Sequence, residues 1–177
     1  MLSVKKQRPP AVTALLWVGL IGYLLLLLKV ILFKFDPDTI VSILNDRNEL
    51  PFTRVNLVPF QSIRFYLFSG RVSTAIAVRN LAGNILAFVP IGIFIPLLRR
   101  SLSLGSTFLV GFGLSAAIEL TQYVTGLGSC DIDDIILNVF GAMLITLVLS
   151  MLDLIGFLAK KIVKNTRKPL DKKQRRV

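Results

Sequence analysis

Four apolar stretches decide what this chain can fold into. They run from Ala11 to Phe33, Asn80 to Leu98, Leu104 to Thr125 and Asp134 to Ala159. About twenty apolar residues cross a hydrocarbon core of roughly 30 Å as a helix. The expected fold is therefore all-α: a polytopic membrane protein with four transmembrane helices, in which residues 1–177 form a single membrane domain. No soluble domain fits between the spans. The longest polar connection, residues 34–79, has about 45 residues, too few for a sizeable independent core.

Positive charge sets the expected orientation, because Lys and Arg in short flanks resist export across a membrane. Lys5, Lys6 and Arg8 precede the first span, Arg99 and Arg100 follow the second, and a basic tail occupies residues 160–177. About 14 of the 21 basic residues thus fall on one side, which should be the cytoplasm, with both chain ends there. The connection 34–79 and the short turn before Asp134 are then extracytoplasmic. The first apolar run outlasts the 7–15 residues typical of a signal-peptide core, and no small-x-small site follows it, so it reads as a retained span. Lys29 is placed to snorkel at its outer end. The basic tail suits attraction to anionic lipids. Membrane lipids are the expected partners and nucleic acid is not, since no nucleic-acid-binding motif accompanies the charge.

The chain has no His and one Cys. Ser-His and Cys-His nucleophile systems and His-ligated zinc are therefore excluded. Cys130 has no partner for an internal disulfide. Its neighbouring carboxylates should raise its thiol pKa, so it reads as a small turn residue and not a nucleophile.

The polar residues inside the apolar stretches fall on narrow faces. Gly111, Ser115, Glu119 and Gln122 follow helical steps of four, four and three, and so do Asp131, Asp134, Asn138 and Gly141 with three, four and three. Asn80, Gly83, Asn84 and Ala87 repeat the arrangement on the second span. At 1.5 Å per residue, Asn84, Glu119 and Asn138 all lie about 6–10 Å below the outer ends of their helices. The expected site is a shared polar pocket opening outward, with Glu119 and Gln122 facing Asn84, Asp134 and Asn138. An interhelical hydrogen-bond cluster that only fixes packing would use the same residues.

Pro90 and Pro96 interrupt the second span, where each removes a backbone donor and favours a kink. In the long connection, Arg54 and Arg64 stand among Phe52, Phe60, Phe65, Tyr66 and Phe68. Rings and guanidinium groups together suit the headgroup layer, with the two Arg as anionic-headgroup contacts. A short interfacial helix or re-entrant piece is expected there.

Four ordered blocks carry a resemblance to a known family. They are Asn56-Leu-Val-Pro-Phe60, Asn80-Leu-Ala-Gly-Asn84 continuing to Gly92, Glu119-Leu-Thr-Gln122, and Asp131-Ile-Asp-Asp134 continuing through Asn138 to Gly141. In these the chain resembles the VanZ-like family of small bacterial membrane proteins, named for a member associated with resistance to the glycopeptide teicoplanin. Many relatives carry an Arg in the turn before the Asp-x-Asp-Asp block, where this chain has Gly128, Ser129 and Cys130.

The resemblance implies a four-helix protein of the cell membrane and a part in lowering sensitivity to teicoplanin-type antibiotics. It implies no reaction, and no cofactor is expected. Three readings stay open. In the first, the polar site binds a lipid-linked cell-wall precursor or a lipoglycopeptide at the outer leaflet. In the second, the chain is an enzyme acting on a lipid or polyprenyl phosphate. Asp131, Asp133 and Asp134 would then hold a divalent cation, and Glu119 would act as acid or base. In the third, it is a structural or partner-binding module whose polar residues fix helix packing.

Overall fold

A computed structural model describes residues 8–32, 55–125 and 128–174. Arg54 and the first part of the long connection lie outside the described residues. The elements are α1 (Pro10–Leu32), β1 (Val55–Asn56), α2 (Gln61–Phe68), α3 (Thr74–Arg99), α4 (Leu104–Thr125), β2 (Cys130–Asp131) and α5 (Ile132–Gln174). Among the described residues the fold is all-α apart from one short parallel pairing of β1 with β2, Val55 beside Cys130 and Asn56 beside Asp131. Among the described residues four helices, α1, α3, α4 and α5, are long and apolar enough to cross a membrane.

Local signals start and stop the helices. α1 begins at Pro10, where the missing N–H costs nothing. Ser73 caps α3 by accepting the Ile76 backbone N–H at 3.4 Å. α3 ends with Arg100 in the left-handed region, φ 55°, returning its N–H to the Leu97 carbonyl. The turn to α4 is short, and the Ser103 hydroxyl accepts the Ser106 N–H at 3.3 Å.

Contacts fix the helix directions. On α3 and α5, Asn84 meets Asp134 and Gly92 meets Thr146, so the two run parallel. On α4 and α5, Thr107 meets Thr146 and Ser115 meets Asn138, so these run antiparallel. α1 runs against α3: the Tyr23 hydroxyl donates to the Ala87 carbonyl at 2.6 Å and Arg8 donates to the Leu97 carbonyl at 2.9 Å. The start of α1, the end of α3 and the start of α4 therefore share one end of the bundle. α2 occupies the other end.

Two glycines permit the closest approach. A Cβ on Gly92 of α3 would stand 2.0 Å from the Ala142 carbonyl oxygen, and one on Gly141 of α5 would stand 2.0 Å from that of Ile85. Small residues at such crossings give membrane helices their backbone contact, since lipid supplies no hydrophobic drive between them. Around this seam Leu20, Leu27, Phe88, Ile91 and Ala142 form the apolar core.

The prolines remain inside a helix assigned without interruption from Thr74 to Arg99. Pro96 cannot donate to the Gly92 carbonyl four residues before it. The buried Thr146 hydroxyl of α5 supplies that bond at 2.9 Å. It also lies 3.2 Å from the Thr107 hydroxyl of α4, so one side chain joins three helices.

Candidate functional site

The polar residues at the α2 end form a bonded lattice, and Asp131 is its hub. It occupies the N-cap position of α5, where its Oδ1 accepts the Asp133 backbone N–H at 2.9 Å. The same oxygen accepts from the Asn56 amide at 3.0 Å, and Oδ2 accepts the Ser62 hydroxyl. The Asp131 backbone N–H donates to Glu119 Oε2 at 2.8 Å. Glu119, only 3% exposed, thus ties α4 to the start of α5.

Asp133 is fully buried and holds α2. Its Oδ1 accepts the Phe60 backbone N–H at 2.5 Å, and its Oδ2 accepts those of Ser62 at 2.7 Å and Ile63 at 3.1 Å. These are orphan donors at a helix start, which a carboxylate stabilises by hydrogen bonding and by the local dipole. Phe60 itself sits at φ 65°, a left-handed conformation uncommon for a bulky residue, and the Asp133 bond is among the contacts that hold it there.

Asn84 of α3 donates to Asp134 Oδ1 at 2.5 Å. One turn deeper, the Asn138 amide donates to the Ser115 hydroxyl at 2.9 Å, while its Oδ1 is buried without a hydrogen-bond partner. Gln122 packs against Gly128 in the turn. Of the other two faces singled out in sequence, α4 buries Thr107, Gly111, Ser115 and Glu119 as one continuous stripe. On α3, Asn80 instead bonds the Ile76 carbonyl of its own helix and Gly83 faces open space.

The proposed divalent-cation set does not converge. Asp131 turns to Asn56 and Ser62, Asp133 to the α2 backbone, and Asp134 to Asn84. Among the described residues no three Cys, Asp or Glu side chains are grouped to hold a metal ion. The physical reason is that consecutive helical residues point about 100° apart, so Asp133 and Asp134 serve different neighbours.

Ser62, Thr107 and Thr146 were not among the sequence candidates, and Asn56 stood there only as part of a family block. Thr107 lies four residues before Gly111 and Thr146 eight after Asn138, so extending the two helical stripes would have found both. Asn56 and Ser62 reach the site only through long-range pairing. The Cys130 thiol is pushed up from its ordinary value by burial first, then by Glu119 and Asp131. Tyr66 is likewise raised by burial, then by Asp134 and Asp131.

The family model for VanZ/LLP1 matches residues 20–153, a span that contains every residue of this lattice. The chain belongs to the VanZ/LLP1 family. It is similar to Protein VanZ of Enterococcus faecium, with 25% identity over 122 residues that cover 69% of this chain and 65% of the relative. This VanZ/LLP1 chain therefore matches just under two thirds of that relative's length. No solved structure matches it.

Proposed function

We propose that this VanZ-family chain is a non-enzymatic factor of the bacterial cell membrane, with its α2 end outside and both chain ends cytoplasmic. It lowers susceptibility to teicoplanin-type glycopeptides by engaging a lipid-linked cell-wall precursor or the lipoglycopeptide at the polar cluster. The observation that carries the reading is the buried Glu119 carboxylate, bonded to the Asp131 backbone beside α2. A carboxylate within a membrane span is costly and marks a site by default. Family membership supplies the biological context, and the positive charge of the opposite flanks supports the orientation.

The test is teicoplanin susceptibility, with vancomycin as comparator, in cells expressing wild type or Glu119→Gln at matched abundance. The reading expects selective protection by the wild type that the mutant loses, because the substitution keeps shape and removes charge. Equal protection by both would remove Glu119 from the working site. No protection by either, at good abundance, would refute the resistance role.

A further inference from the structure

α2 presents two unlike faces. Ser62 and Tyr66, four residues apart, turn to the bundle, where Ser62 bonds Asp131 and Tyr66 feels the Asp134 and Asp131 charges. Gln61, Arg64, Phe65 and Phe68 follow the steps i, i+3, i+4 and i+7 and share the opposite side. That side lines a groove of about 580 Å³, together with Val58 and Ser69. The volume is that of a small-molecule site.

The groove combines one fixed positive charge with an apolar floor. Arg64 offers a planar fork of donors, and the Gln61 amide and Ser69 hydroxyl add two neutral ones. Among the described residues no carboxylate lines it: Asp131, Asp133 and Asp134 are engaged behind α2. Phe68 is 78% exposed, and Leu67 and Phe65 are exposed beside it. α2 ends six residues before Thr74, the start of a helix long and apolar enough to cross a membrane, and this proximity supports a place for the groove near the headgroup layer. Aromatic rings with arginine are the composition of that layer.

We propose that this groove holds the phosphate headgroup of an anionic glycerophospholipid, with Arg64 on the phosphate and Val58, Phe65 and Phe68 against the first methylenes of its chains. Guanidinium matches phosphate in bidentate geometry, and such charge-assisted bonds are about twice as strong as neutral ones. The bound lipid would anchor α2 on the face that Asp133 leaves free.

The experiment uses the full chain, purified in detergent and delipidated, with phosphatidylglycerol or a diacylglycerol of the same chains titrated by native mass spectrometry. Wild type should retain one phosphatidylglycerol at concentrations where diacylglycerol does not bind. Arg64→Gln should weaken that binding about tenfold or more, the scale of a lost charge-assisted bond. Arg71→Gln, a change at an exposed arginine outside the groove, should leave it unaltered. Equal binding by Arg64→Gln, equal loss in Arg71→Gln, or equal retention of diacylglycerol would each overturn the proposal. Binding of a polyprenyl phosphate more than tenfold tighter than phosphatidylglycerol would overturn the assignment to a glycerophospholipid. Arg64 is exposed, so its removal should leave folding intact, which an unchanged unfolding temperature verifies. Because the readout is lipid retention by the purified chain, its failure is separable from that of the susceptibility assay.

Discussion

The Thr146 hydroxyl donates to the Gly92 carbonyl at 2.9 Å, and Gly92 lies four residues before Pro96. The proline removes a bond within α3 and the threonine of α5 replaces it, so a local defect becomes an interhelical tie. Loss of the hydroxyl leaves that buried carbonyl without its cross-helix donor.

Thr146→Val, which keeps the shape, should therefore destabilise the protein by about 1–2 kcal/mol, at the upper end for interhelical hydrogen bonds in membranes. In a Pro96→Ala background, where the backbone N–H returns, the same change should cost clearly less. Thermal unfolding of the four proteins in detergent gives the coupling; additive losses would show that the threonine does not compensate for the proline.

Helix separation at the α3–α5 seam is set by glycine. Gly92→Ala and Gly141→Ala each place a methyl group 2.0 Å from a backbone oxygen, and overpacking of this kind costs about 1–3 kcal/mol or more. Both should lower abundance and unfolding temperature. Gly113→Ala on α4 meets nothing within 4 Å and should be neutral or stabilising by up to about 1 kcal/mol. Similar behaviour at all three positions would contradict the close crossing.

Asp133→Asn puts an amide where three backbone N–H groups of Phe60, Ser62 and Ile63 converge, and one amide oxygen cannot serve them all. The start of α2 should loosen while the spans stay packed. Hydrogen exchange should report faster exchange at residues 60–66 with little change in α3 and α5. Unchanged protection there would mean that the carboxylate does not hold α2.

A raised Cys130 pKa makes thiolate scarce below the ordinary thiol value of 9.0. Maleimide labelling in detergent should therefore lag a free thiol at pH 7–8 and rise only at higher pH. Glu119→Gln removes one of the causes, so labelling at a given pH should accelerate. Identical rates would show that the carboxylate does not act on the thiol.

Much of the architecture is legible in the chain because lipid imposes a one-dimensional rule: length and apolarity alone mark a spanning helix. The α4 stripe of Gly111, Ser115 and Glu119 was readable for a similar reason, since helical period converts spacing into a shared face. The direction of each contact was not. Asn80 and Asn84 have the same residue type and lie one turn apart, yet one bonds its own backbone and the other Asp134.

Legible in the chain were four helices long and apolar enough to cross a membrane, a short helix in the long connection, the family, and a concentration of buried polar groups in the blocks ending at Glu119 and Asn138. Tertiary structure alone decided what each carboxylate does. Asp131 became a cap and hub, Asp133 a clamp on α2, and Asp134 the partner of Asn84. A carboxylate's role depends on which donors reach its two oxygens. Those of Asp133 come from about 70 residues away in sequence, a distance that only packing of the helices can close.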